Sequence, residues 1–166
     1  MKQVFGLLIL LISSTLPFSA NAQVVDNAVI GACYNKMNDN QGGGNCVGIA
    51  SNTCQNSRTA DFDGSTTYGI TQCLNAEMQV WDALLNSNYQ SLLKLLVQQE
   101  DGAFTNDPDR SDALQNAQRA WIKFRDTECM RLYAQWQDGT IRSNVHASCM
   151  LNMTARRAVA LIGDMR

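Results

Sequence analysis

Residues 73–96, CLNAEMQVWDALLNSNYQSLLKLL, decide the fold. Their apolar side chains Leu74, Met78, Trp81, Leu85, Tyr89, Leu92 and Leu96 follow at steps of four, three, four, four, three and four. Such steps return side chains to one face of a helix with about 3.6 residues per turn, whereas a strand needs alternation by two. Ahead of the stretch, Thr66-Thr67-Tyr68-Gly69-Ile70 supplies a helix-start signal. The spacing therefore predicts an amphipathic helix running to about Gln99. EDGAFTNDPDRSD, residues 100–112, then reads as a loop, with Gly, Pro and five acids against one arginine.

Ser111 or Asp112 can cap a second helix, with Leu114, Ala117, Trp121, Phe124, Leu132 and Trp136 on its expected buried side and Asp138-Gly139 as its stop. TIRSN, residues 140–144, reads as a short loop into a last helix, where Ala147, Leu151, Thr154, Ala158, Leu161 and Met165 recur four and three apart. The segment from Val24 to Asn56 carries a weaker pattern, and its cysteines and Gly-rich break suggest two short helices strapped as a hairpin. The expected fold is all-α: a small helical bundle of three principal helices with a disulfide-tied N-terminal helical extension.

At the start, Lys2 precedes the apolar run VFGLLILLI, and SSTLPFSANA ends in Ala20-Asn21-Ala22. A positive start, a short apolar core and small residues at the end describe a secretory signal peptide over residues 1–22, cleaved between Ala22 and Gln23. The apolar run is too short for a permanent membrane span, and no cysteine stands at the cleavage point to take a lipid anchor. Residues 23–65 then form the cysteine-containing extension and residues 66–166 the main helical domain. Losing Lys2 leaves 12 basic residues against 15 acids, a formal charge of −3. A mildly acidic chain argues against nucleic acid and anionic membrane surfaces as partners.

Six cysteines in an exported chain read as three disulfides. The midpoint of Cys33 and Cys46 falls in NDNQGGG, that of Cys54 and Cys73 at DFDGS, and that of Cys129 and Cys149 at Asp138-Gly139-Thr140. Symmetry about a turn is what an antiparallel hairpin needs to bring two cysteines level, so the expected pairs are 33–46, 54–73 and 129–149.

Catalytic patterns are sparse. His146 is the sole histidine; no nucleophile context surrounds any serine, and a lone histidine at a helix start is ordinarily solvated. Cys129, His146 and Cys149 can be drawn as metal ligands, but export favours oxidation of the thiols. QGGGN lacks the Lys-Ser/Thr of a phosphate loop and reads as a turn. Asn152-Met153-Thr154 matches a glycosylation sequon but sits within a helix. The carboxylate pairs Asp126/Glu128, Asp107/Asp109 and Asp61/Asp63 have no apolar cleft beside them to split their pKa values. No cofactor, metal or catalytic residue is expected.

AQRAWIKFRDTEC, residues 117–129, places Gln118, Trp121, Arg125 and Cys129 on one helical stripe, at steps of three, four and four. Trp121 can stack under Arg125, and Arg125 can reach Glu77 or Asp82 on the first long helix. The reading of the residues is a paired polar seam that locks helix register, with presentation of Arg125 or Arg119 to a partner as the alternative.

Cys73-x3-Glu77 with Trp81-Asp82-x-Leu84-Leu85-Asn86-x2-Tyr89-x2-Leu92, the segment AQRAWIKFRDTEC, and Cys149-x4-Thr154-x2-Arg157-x3-Leu161 together resemble the LprI-type lysozyme-inhibitor family over about Thr66 to Leu161. The resemblance implies an exported, disulfide-containing helical domain that inhibits lysozyme; because this chain lacks the lipid-anchoring cysteine of the name-giving type, it is expected to work in solution, periplasmic or secreted. Its motif residues Glu77, Asp82, Tyr89, Gln118, Trp121, Arg125, Asp126, Thr154 and Arg157 look like fold determinants more than contacts. Common lysozymes are basic enzymes with two catalytic carboxyl groups in the cleft. An inhibitor can steer toward such a basic protein partner through the acidic stretch with Asp101, Asp107, Asp109 and Asp112. It can also present a donor-rich loop, GTIRSN, with Thr140, Arg142 and Ser143. The alternative function is a structural or interaction module of the cell envelope that binds another protein or cell-wall material.

Overall fold

The computed structural model describes residues 25–38, 46–100 and 109–165. The export segment expected at 1–22, the middle of the Gly-rich turn before Cys46, and Asp101 and Asp107 of the acidic stretch lie outside the described residues. Among those described, the chain forms five α-helices and no strand: α1 (Asn27–Asn38), α2 (Ile49–Gln55), α3 (Thr67–Glu100), α4 (Arg110–Gln135) and α5 (Arg142–Gly163). A single isolated antiparallel bridge, Arg58 to Asp63, sits in the link from α2 to α3. The expected all-α class holds, and the N-terminal region does contain two short helices. The three disulfides join Cys33 to Cys46, Cys54 to Cys73 and Cys129 to Cys149, the pairing that symmetry about the turns predicts.

The 34-residue α3 is the spine. Thr66 starts it as expected: its Oγ1 accepts from the Gly69 N–H at 2.9 Å. Gly69 and Gly64 meet here, and neither has room for a Cβ, since the Asp63 and Cys54 carbonyls stand where one would be. The most extensive packing is between α3 and α5. Trp81, Leu85 and Leu92 of α3 are buried against Leu151, Ala155, Ala158, Leu161 and Ile162 of α5. The small residues Ala155 and Ala158 let the two backbones approach, so that Asn88 Nδ2 reaches the Ala158 carbonyl at 2.7 Å.

Asn88 is buried at a position the apolar spacing assigns to Tyr89, which is only half-buried. A polar amide is tolerated there because both its ends are satisfied: Oδ1 accepts from the Tyr34 hydroxyl at 2.7 Å while Nδ2 donates to α5. The amide thus ties α1, α3 and α5 together. Tyr34 also meets Trp81 edge-on at 6.1 Å, and burial holds its phenol above the ordinary 10.0, partly offset by the Asn88 hydrogen bond.

α4 differs from the sequence reading in three respects. Its cap is Asp109, whose Oδ1 accepts from the Ser111 N–H at 3.2 Å, in place of Ser111 or Asp112. Its buried residues are Ser111, Gln118 and Cys129, with Leu114, Trp121 and Leu132 half-buried. Ala117, Phe124 and Trp136, expected inside, are exposed. The rotation follows from two ties on one line of the helix, the Cys129–Cys149 bond and the Arg125 contacts described below, which turn the polar stripe inward and leave Phe124 about 100° away from Arg125.

Candidate functional site

All the motif residues but Tyr89, which is half-buried against the core, fall in two constructions. The first is centred on Glu77, which is fully buried. Of the two acids open to Arg125 in the sequence, Glu77 and Asp82, Glu77 is not its partner; it caps α2 instead. Its Oε1 accepts from the Gly48 N–H at 2.7 Å and from Trp81 Nε1 at 3.1 Å. Its Oε2 accepts from the N–H groups of Ala50 at 3.1 Å and Ser51 at 2.6 Å. The physical need is plain in the sequence of α2. A seven-residue helix leaves its first N–H groups without intrahelical partners, and its N-cap is Gly48, in the left-handed region at φ 91°, with no side chain to offer. A carboxylate from α3 supplies what the glycine lacks. The Cys54–Cys73 bond holds the other end of α2.

The second is the stripe of α4 against α3 and α5. The Arg125 side chain is only 13% exposed. Its Nε and Nη2 each lie 2.9 Å from Asp126 Oδ1, and Nη1 donates to Thr154 Oγ1 at 3.2 Å. Asp82 is a more distant ion partner at 3.9 Å. The guanidinium lies over the Trp121 ring at 5.2 Å, and Arg157 of α5 lies over the same ring at 5.8 Å while its Nε donates to Gln118 Oε1 at 3.0 Å. Two cations sharing one indole, each with an oxygen acceptor, make a polar interface whose buried side-chain donors are satisfied. One turn further on, Cys129 closes the seam onto Cys149, with Met153 Sδ 3.8 Å from both sulfurs.

The proposed contact residues scatter. Asp109 caps α4 and Asp112 is exposed in its first turn. Thr140 is exposed, but Arg142 and Ser143 belong to the first turn of α5 and not to a loop. Arg142 folds back, donating to the Gln137 carbonyl at 3.1 Å and lying over the Tyr133 ring at 5.0 Å. His146 meets the same tyrosine edge-on at 6.0 Å. An open groove of about 570 Å³ is lined by the aliphatic side chains Ile70, Leu74, Leu132, Ile141 and Val145 together with the carboxamides Asn52, Gln55, Asn144 and Asn152. Among the described residues no group of three or more His, Cys, Asp or Glu side chains is placed to hold a metal, and no helix is long and apolar enough to cross a membrane.

Sequence reasoning missed the true partners of Glu77 and the role of Asn88. Both were marked by a polar residue interrupting an apolar helical line: 73, 77, 81 in one case and 81, 85, 88, 92 in the other. A polar side chain at such a position must find partners within the core.

These features define a class: a small helical domain, strapped by disulfides, whose signature residues are engaged in holding helices to one another. The match to known families agrees with it. Residues 54–161 match the model of the family described as lysozyme inhibitor LprI, and the chain belongs to that family. The match opens at Cys54, so it takes in the end of α2 and the Cys54–Cys73 bond. No curated protein and no solved structure matches the chain.

Proposed function

We propose that this chain is a periplasmic lysozyme-inhibitor-like protein that binds a lysozyme and blocks peptidoglycan hydrolysis, with no catalysis of its own. The observation that carries the reading is the family match over residues 54–161. The geometry supports it in one respect: Glu77, Gln118, Trp121, Arg125, Thr154 and Arg157 are committed to helix–helix ties, which suits a rigid scaffold that presents a preformed surface. Export over residues 1–22, an extension at 23–65 and a soluble periplasmic domain at 66–166 complete the proposal. In it, the acidic residues around 100–112 steer the protein toward a basic enzyme, and Thr140, Arg142 and Ser143 lie at one edge of the contact.

The test is lysis of a peptidoglycan suspension by a basic lysozyme, titrated with the oxidised domain. Inhibition that saturates near one equivalent, and weakens with added salt, is the expected result. No inhibition at large excess would remove the reading. The open groove that pairs aliphatic side chains with four carboxamides favours the second reading, an envelope module that binds another protein or cell-wall material, which predicts retention on envelope components without any effect on lysozyme.

A further inference from the structure

α4 carries the half of the signature stretch that holds nothing together. Facing inward, Gln118, Trp121, Arg125 and Cys129 make the seam; facing outward, Arg119, Ile122, Lys123 and Phe124 are exposed. Among the described residues, neither Arg119 nor Lys123 has an ion pair or a side-chain hydrogen bond. Ile122 and Phe124, 41% and 60% exposed, flank the two cations, and Met130, 55% exposed, continues their line two turns beyond Lys123. The charge of α4 also runs against that of the chain. It has five basic residues (Arg110, Arg119, Lys123, Arg125, Arg131) and three acidic ones (Asp112, Asp126, Glu128), a balance of +2 in a chain of net −2. None of these acids forms an ion pair with the outer pair: Asp126, three residues beyond Lys123, is engaged by Arg125, and Glu128 by Arg131, while Asp112 lies two turns before Arg119 and accepts from Gln115.

We infer that this outward stripe of α4 is the surface that seats in the lysozyme cleft, with Arg119 and Lys123 facing the two catalytic carboxyl groups and Ile122 and Phe124 packing on the cleft walls. The inference rests on the lysozyme-inhibitor reading and names the contact surface within it. Spacing supports it: residues four apart on a helix have Cβ atoms about 5–6 Å apart, and the carboxyl pair of a retaining glycosidase is separated by about 5–5.5 Å. Charge complementarity supports it as well. A chain acidic as a whole is drawn to a basic enzyme, and a local cationic stripe matches the acidic feature inside that enzyme's cleft. A helix laid in a groove with apolar flanks and charged anchors is an established mode of recognition.

The experiment compares the wild type with R119E/K123E and F124A in inhibition of a basic retaining lysozyme. The control is K94E/R156E, which makes the same change of net charge at exposed positions on α3 and α5. Circular dichroism and thermal unfolding verify that each variant folds, which is expected because the altered side chains are exposed. If the stripe seats in the cleft, R119E/K123E weakens inhibition on the order of tenfold or more, F124A weakens it to a lesser degree, and K94E/R156E does not. A chitooligosaccharide bound in the cleft then competes with the wild type. Equal inhibition by R119E/K123E and wild type, or the absence of competition, overturns the inference and leaves the inhibitor reading standing. A wild type that fails to inhibit overturns both.

Discussion

Replacing Glu77 with Gln tests the central structural argument, that a buried carboxylate on α3 serves as the cap of α2. The side chains have nearly equal volume, so packing is preserved and only the acceptor pattern changes. Glu77 receives four N–H donors, two on each oxygen. Gln keeps one oxygen and turns an NH2 toward the other two donors, which loses two hydrogen bonds in a fully buried site. A buried donor left without an acceptor costs about 1–3 kcal/mol, so the expected loss is roughly 2–6 kcal/mol. For a domain of this size the middle of that range lowers Tm by roughly 10 °C. The assay is urea and thermal unfolding of the oxidised protein followed by circular dichroism, with amide hydrogen exchange as the local readout. Gly48, Ala50 and Ser51 should lose protection while the buried face of α5 keeps it. A Glu77→Gln protein within about 0.5 kcal/mol of wild type, with those three amides still protected, would refute the reasoning.

The Cys129–Cys149 bond closes a separation of 20 residues, so C129S/C149S should lose about 3 kcal/mol in the chain-entropy account, and urea denaturation of the two proteins measures it. Tyr34 sets an alkaline limit. Burial makes its phenol hold the proton more tightly in the folded state than in the unfolded chain. Stability from this group is therefore full below the ordinary value of 10.0 and falls as the pH rises through the higher folded value. Tyr34→Phe should flatten that limb in a pH series of unfolding curves, while costing about 1 kcal/mol at neutral pH because Asn88 Oδ1 loses its donor.

The helices and the disulfide pairing were legible in the sequence because both are encoded over short windows. Steps of three and four from Leu74 to Leu96 mark a helical face wherever that helix later packs. Cysteines symmetric about DFDGS or Asp138-Gly139-Thr140 face each other once the turn forms. The segment AQRAWIKFRDTEC carried its inner stripe openly, since Gln118, Trp121, Arg125 and Cys129 share one helical line.

Three things were settled only by the tertiary structure. Glu77 finds Gly48, Ala50 and Ser51 at 26 to 29 positions' distance, and no local pattern tells a buried acid whether a guanidinium or a row of backbone N–H groups will meet it. The rotation of α4, which exposes Phe124 and Trp136, depends on which of its two candidate faces, one aromatic and one polar, is tied down. The disulfide to Cys149 and the contacts to Thr154 and Arg157 decide that. Arg142 joins α5 and folds over Tyr133 because the end of α4 lies beside the start of α5. Periodicity within one helix determines which residues share a face; the partners of that face come from the packing of several helices, where satisfying buried polar groups outweighs the placement of a few apolar side chains.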